Sequence, residues 1–289
     1  MGWLAVILGV TAISPLIYIS VVVLCVFFKY TLGKWLYSKR KELIFAGDWA
    51  VVTGASAGIG LAFCKELAKE GLKILMVDGD ALKLKSAAKE VENTFGVETR
   101  TLQLDLSEGL SSVACYVNNA FDNGCFMGNL DTFDGFAPFC SMNCTRAALP
   151  KLSEEAYLRE PFLIIITSVD VWLNHPDAYV RDMSKLGACL LISSLWQDLR
   201  GSGVRMQAYL PCLISTEVTK VPPSRHFVPS AEVFAAAALD MLGVEEIGCG
   251  YFYHALQCSF PGISRMLFGS SGGARQKKMP QCPSITMEL

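Results

Sequence analysis

One stretch, from Trp49 to Gly71, constrains the fold of this chain more than any other. It reads WAVVTGASAGIG and then LAFCKELAKEG. The apolar run Trp49 to Val52 suits a strand buried on both faces, as in a parallel sheet. From Leu61 to Glu70 apolar residues fall at 61, 63, 64, 67 and 68 with charges between them, which is the helical period, and Gly71 can close that helix. Gly54, Gly58 and Gly60 lie between strand and helix. They allow a tight turn in which backbone N–H groups approach a pyrophosphate at the helix N-terminus. Ser56 and Ile59 lie in the same turn. A strand, a glycine triplet and a helix in this order predict a doubly wound α/β sheet.

A second strand follows over Lys73 to Val77 and ends at Asp78, eighteen residues after Gly60. A carboxylate there can accept hydrogen bonds from both hydroxyls of an adenosine ribose and repels a 2′-phosphate. The next residue, Gly79, offers no cation to that phosphate, so NAD(H) is favoured, with NADP(H) as the alternative. The plainer reading of Asp78 is that it opens the following turn.

The apolar content is uneven. Residues 1 to 28 hold 22 apolar residues and no Asp, Glu, Lys or Arg; removing them brings the rest from 52% to about 49%, an ordinary globular value. Gly2 to Phe28 as a helix of 1.5 Å per residue spans more than the roughly 30 Å hydrocarbon core of a bilayer. Pro15 is tolerable in such a helix. A cleaved signal peptide fits less well, because the run is too long and no basic residue precedes it. Lys29, Lys34, Lys39, Arg40 and Lys41 follow, so the positive-inside rule places the C-terminal domain in the cytosol. The expected organisation is an anchor at 1–28, a basic linker at 29–47 able to lie on the membrane, one globular domain at 48–268, and a disordered tail at 269–289.

With 25 Lys+Arg against 27 Asp+Glu, no basic surface for nucleic acid is expected. The eleven cysteines are scattered, odd in number and without CxxC spacing, and the three histidines, His175, His226 and His254, have no ligand partner one turn away. Reduced cysteines in packing roles and no metal site are the expectation.

TGASAGIG at 53 to 60 resembles the TGxxxGxG motif of the short-chain dehydrogenase/reductase superfamily. The leader, the spacing to the motif and GYFYHALQ at 250 to 257 narrow the resemblance to its membrane-anchored group, the 17β-hydroxysteroid dehydrogenases and very-long-chain 3-oxoacyl-CoA reductases, with their hydroxysteroid-dehydrogenase-like members. The resemblance implies a single Rossmann-type doubly wound parallel sheet preceded by an N-terminal transmembrane helix. It implies that Asp105 sits beside the adenine and that Asn118, Asn119 and Ala120 match NNAG, with Phe121 in place of glycine. PCLIST at 211 to 216 resembles the PGxxxT segment that meets the nicotinamide, with Cys212 in place of glycine and Thr216 at its end. The plainer role for Thr216 is an N-cap.

Two spacings depart from the family. Asp105 and Asn118 are thirteen residues apart, too few for a full crossover helix, so the sheet face there is expected to be thinly covered. Around the reaction centre the resemblance implies Ser168 on the substrate carbonyl, Asn143 on a relay water, and Lys185 on the nicotinamide ribose. The residue four before Lys185, where the family has its tyrosine, is Arg181; Tyr179 lies two positions early. Reduction of a ketone leaves an alkoxide that needs a proton, and a tyrosine lowered by a lysine can supply it. An arginine with pKa above about 12 cannot. On a helix, six residues from Tyr179 to Lys185 turn about 600°, some 120° from facing, unless the helix starts only after Tyr179.

The function expected is an NAD(P)(H)-dependent oxidoreductase interconverting ketone and secondary alcohol on a lipophilic substrate, a steroid or a 3-oxoacyl-CoA. The alternative is a catalytically inactive relative serving as a nucleotide-binding or scaffold protein at the membrane. A single-pass endoplasmic reticulum location facing the cytosol is expected, with mitochondria as second choice, and the resemblance implies a homodimer, since the helices after strands four and five pair subunits in many relatives.

Overall fold

The computed structural model describes residues 2–102, 112–119, 140–169, 179–224 and 226–260, with backbone alone for 2–12, 140–144, 147 and 179–187. Seven parallel strands form one sheet in the order β3-β2-β1-β4-β5-β6-β7. They are β1 (Trp49–Thr53), β2 (Lys73–Val77), β3 (Thr99–Leu102), β4 (Val113–Asn118), β5 (Phe162–Ile166), β6 (Arg205–Tyr209) and the two-residue β7 (Ile247–Gly248). The chain reverses its direction of winding between β1 and β4, the switch point where ligands of such sheets bind.

The doubly wound sheet expected from the glycine stretch is therefore present, with element ends within a few residues of their sequence positions. Strands β1, β4 and β5 are buried along their whole length, as a parallel sheet covered on both faces requires. Alternation splits the core in two. Ala50, Val52, Ile74, Met76, Cys115 and Val117 face one way, with Phe63 and Leu67 of α4 (Gly58–Lys69), Leu84 and Val91 of α5 (Ala81–Phe95) and Phe234 of α8 (Ala231–Asp240). Trp49, Val51, Leu75, Val77, Leu163 and Ile165 face the other way, with Leu152 of α6 (Cys140–Ala156) and Ile192 of α7 (Tyr179–Asp198). Local chemistry closes the α5 ends: the Asp80 carboxylate accepts from the N–H groups of Leu82 and Lys83, and Gly96 ends the helix at φ 67°.

Between Leu102 and Val113 the connection has ten residues, 103–112. The register puts Leu102 level with Val77 and Thr53, and Val113 level with Trp49. Crossing three strand spacings and returning four residues requires about 20 Å, and eleven peptide steps reach about 36 Å. Ten residues are therefore long enough to make the crossover without a helix. The expected thin cover is not borne out by the sheet, since Trp49, Val51, Leu75 and Val77 are all buried there. Part of the cover over Trp49 is cationic: the Arg100 guanidinium lies 4.5 Å and the Lys73 ammonium 5.6 Å from its ring centroid.

At the N-terminus α1 (Gly2–Phe28) continues through a π-helical turn, Lys29–Gly33, into α2 (Lys34–Tyr37). It is the one helix among the described residues long and apolar enough to cross a membrane. Its end is fastened to the domain. Lys29 pairs with Glu245 at 2.6 Å, the Tyr30 hydroxyl donates to Glu245 at 3.1 Å, and Lys34 pairs with Asp240 at 2.5 Å. The Tyr30 ring meets Phe252 of α9 (Phe252–Ser259) edge-on. After a 3-10 turn at Arg40–Glu42 and α3 (Leu43–Ala46), the linker enters β1. The Arg40 guanidinium bridges Glu70 at 2.6 Å, Glu66 at 2.7 Å and Asp240 at 2.9 Å, so the basic linker is fastened to α4 and α8 on one side while Trp35, Tyr37 and Phe45 stay exposed.

Candidate active site

The glycine turn lies at the C-terminal edge of β1 and is held from two sides. The Ala55 N–H donates to the Val77 carbonyl, and the Ser56 N–H donates at 3.0 Å to Asp78 Oδ2. Asp78 Oδ1 accepts from the Asp80 N–H. Asp78 thus opens its own turn, in line with the plainer reading, and at the same time sets the turn before α4. Each of its oxygens keeps a further lone pair for a ribose hydroxyl.

On the other side stand two asparagines. The Asn119 N–H donates to Thr53 Oγ1 at 3.0 Å, and its side-chain amide reaches the carbonyls of Thr53 and Gly54 at 3.4 and 3.5 Å. The Asn118 amide donates to Thr145 Oγ1 of α6 at 2.5 Å, and Thr53 Oγ1 donates to Asn118 Oδ1 at 3.4 Å. Local sequence assigns no role to Thr53 or Thr145. Thr53 stands first in the TGASAGIG motif, but its bonding to Asn118 and Asn119 depends on which strand lies beside β1.

Two of the glycines are required by geometry. A Cβ on Gly60 would stand 2.0 Å from the Gly54 carbonyl oxygen and 2.9 Å from the Asn119 amide nitrogen. Gly58 has φ 56°, a region side chains avoid. Ala57 precedes α4 in extended conformation and gives no side-chain cap. The first N–H groups of α4, those of Gly58, Ile59 and Gly60, therefore point out of the helix with no intrahelical acceptor. Such a positively polarised end, with no side-chain cap among the described residues and with the Asp78 carboxylate beside it, could hold a dinucleotide pyrophosphate. A cleft of about 440 Å³ lies along this end, lined by Ser56, Gly58, Lys83, Thr216 and Glu232 among others. Another of about 420 Å³ opens at the opposite edge of the sheet, by Phe162 and Arg205, away from the turn.

Thr216 comes up against the turn from β6. A Cβ on Gly58 would meet its methyl group at 3.6 Å. Thr216 and Thr219 cap one another, each hydroxyl accepting from the other's N–H at 3.0 and 3.2 Å. No helix directly follows Thr216, so it closes a turn at 217–219 where an N-cap was expected, and it forms a wall of the cleft. Ser168 follows β5 at the same edge, buried, with its hydroxyl donating to the Pro211 carbonyl at 3.3 Å. The Val169 N–H shares that carbonyl at 3.1 Å.

Asn143 lies in α6, and Tyr179, Arg181 and Lys185 lie in α7, by backbone; their side chains fall outside the described residues, as do Asp105, Ala120, Phe121 and the tail. The helical span of α7 begins at Tyr179. The register that puts Arg181 one turn before Lys185 thus already applies at Tyr179, about 600° back along the helix.

A model of the short chain dehydrogenase family matches residues 48–133. The very-long-chain 3-oxoacyl-CoA reductase of Rattus norvegicus is 28% identical over 75% of each chain. The inactive hydroxysteroid dehydrogenase-like protein 1 of Pongo abelii is 26% identical over 83% of this chain and 80% of its own. Among solved structures, a short-chain dehydrogenase from Sphingobium yanoikuyae in complex with NADPH superposes with TM-score 0.59 at 20% identity, covering 81% of this chain and 98% of that one. A 7beta-hydroxysteroid dehydrogenase gives 0.62 at 19% identity over 78% and 94%. The chain therefore has the Rossmann-like fold of the short-chain dehydrogenases and resembles that superfamily, on the side of it that holds the very-long-chain 3-oxoacyl-CoA reductases and the hydroxysteroid-dehydrogenase-like proteins.

Proposed function

We propose that this chain is a membrane-anchored nicotinamide-dependent oxidoreductase that interconverts a ketone and a secondary alcohol on a lipophilic substrate, a steroid or a 3-oxoacyl-CoA. The observation that carries the reading is the glycine turn at the β1/β4 switch point, locked by Asp78, Thr53 and Asn119 and without a side-chain cap, among the described residues, at the N-terminus of α4. The bound dinucleotide supplies or accepts a hydride. Gly54, Ser56, Gly58, Ile59 and Gly60 hold its pyrophosphate, Asp78 takes the adenosine ribose in favour of NAD(H), and Asn119 and Thr216 close the cleft around it. Asp105 and Lys185 complete the set from the resemblance. Ser168, whose hydroxyl already donates to a carbonyl, turns that donor to the substrate oxygen, and Asn143 positions a water for proton transfer.

Membrane attachment rests on α1 and on the two short helices after it. Trp35 and Tyr37 of α2 and Phe45 of α3 are 79%, 62% and 74% exposed, an aromatic belt directly after the apolar span. Such rings favour the headgroup level of a bilayer. An anchored domain meets an apolar substrate at the surface where it dissolves, and the endoplasmic reticulum is the proposed membrane.

One observation favours a second reading, a non-catalytic nucleotide-binding or scaffold protein. Because α7 already includes Tyr179, Arg181 takes the place one turn before Lys185, and a guanidinium holds its proton too tightly to give it to an alkoxide. The two readings part in one assay. Full-length protein in detergent is incubated with NADH or NADPH and either a 3-oxoacyl-CoA or a 17-ketosteroid. Turnover that Tyr179→Phe abolishes establishes the enzyme, with Tyr179 as donor. Dinucleotide binding with no turnover, in wild type and in Arg181→Tyr alike, refutes it and leaves the binding protein.

A further inference from the structure

Three sulfurs from three segments of the chain meet beyond the end of β6. Cys249 comes directly after β7, Cys258 lies in α9, and Cys212 follows Pro211. The Cys249 thiol donates to the Cys258 sulfur at 3.3 Å, and Cys212 and Cys258 lie 3.7 Å apart. All three are partly exposed. We propose that Cys258 is the shared sulfur of a redox-sensitive thiol site, linked on oxidation to Cys249 and exchangeable to Cys212.

The geometry favours this over simple packing. A disulfide needs sulfurs about 2.05 Å apart, so the closer pair has little more than 1 Å to travel. The backbone around it is fixed: Gly250 sits at φ 67° with the Tyr209 ring 2.9 Å from where a Cβ would be, which turns the chain from Cys249 into α9. On the other side the Cys212 N–H donates to Nδ1 of the buried His254, one turn before Cys258. The hydrogen bond to Cys258, burial and the nearby Glu245 push the Cys249 thiol up and keep its proton on. A donated S–H stabilises negative charge on the acceptor, so Cys258 is the attacking sulfur.

The oxidant is a small-molecule disulfide of the glutathione class. The Cys258 thiolate attacks one of its sulfurs, forming a mixed disulfide and releasing one thiolate. Cys249 loses its proton and attacks the Cys258 sulfur, forming the internal disulfide and releasing the second thiolate. In total two cysteine thiols give up two electrons and two protons, and the small disulfide takes both as two thiols. A Cys212 thiolate can then attack the Cys258 sulfur and release Cys249 as thiolate, with no net redox change. That exchange ties the segment from Pro211 to Thr216, which carries the Ser168 acceptor and a wall of the cleft, to α9.

The test uses full-length protein in detergent, equilibrated in buffers of reduced and oxidised glutathione, quenched with N-ethylmaleimide and mapped by peptide mass. The wild type is expected to give a Cys249–Cys258 cross-link lighter by two hydrogens. Cys249→Ser moves the link to Cys212–Cys258, and Cys258→Ser and Cys258→Ala each abolish both. Recovery of all three cysteines as alkylated thiols at every glutathione ratio overturns the proposal, and so does a Cys249–Cys212 link that survives loss of Cys258. The readout is covalent, so it stands or falls separately from dinucleotide binding and turnover.

Discussion

Replacing Arg40 with Met keeps most of the aliphatic stem and removes the charge that three carboxylates share. Glu66 is the sensitive partner, since its side chain is 6% exposed while those of Glu70 and Asp240 are 22% and 30% exposed. The latter two can rehydrate when the guanidinium goes, and Asp240 keeps Lys34. Among the described residues Glu66 then keeps only Lys69, whose side chain is half exposed. Breaking a fully buried pair costs about 3–5 kcal/mol, and the remaining exposure and the Lys69 contact reduce this to about 2–3 kcal/mol. For a domain of this size that is a drop of roughly 5–10 °C in Tm. Thermal denaturation of the full chain in detergent, followed by circular dichroism, measures it. Glu66→Gln in the Arg40→Met background relieves the stranded charge and is expected to recover about half of the loss. A Tm of Arg40→Met within about 1 °C of wild type, or a double variant that loses the sum of both single effects, refutes the claim that this cluster pins the linker to α4 and α8.

Two further outcomes rest on the same kind of geometry. Gly60→Ala forces a methyl group into the Gly54 carbonyl, which costs about 1–3 kcal/mol and displaces the turn; loss of NADH binding in a fluorescence titration, with Tm lowered, is expected, and unchanged affinity would show that the turn does not hold the dinucleotide. Partial burial pushes the Glu42 carboxyl up, but hydrogen bonds and charge from Lys39 and Arg205 outweigh it and hold the group below the ordinary carboxylate value. Its contribution is therefore complete above the unfolded pKa of about 4.3 and is lost as pH falls through the lower folded value. Urea denaturation from pH 7 to pH 3 should show the gap between wild type and Glu42→Gln closing at the acid end, and a constant gap contradicts the assignment.

Much of the fold was legible in local pattern. The β1 strand, the glycine turn, α4 and β2 could be read because each is written in contiguous residues whose period or conformational freedom is intrinsic to them. Asp78 was legible for the same reason, since it terminates a strand at a fixed distance from the turn. The crossover shortfall was visible as a count, yet the count did not reveal that ten residues can cross three strands unaided. Nor did it reveal that Arg100 and Lys73 lie over Trp49, because those neighbours come from β3 and β2.

The amino-acid sequence by itself determined the doubly wound class, the apolar span, the glycine turn and the register that sets Arg181 before Lys185. These depend on periodicity, on glycine and on spacing along one element, all of which act over a few residues. Only the tertiary structure decided that the basic linker clamps onto α4 and α8 through Arg40, that Thr53 and Asn119 lock the turn, and that Cys212, Cys249 and Cys258 meet. Each of these joins residues far apart in the chain, and no local pattern encodes them. They exist because the sheet places β1 beside β4 and brings α9 back against the end of β6.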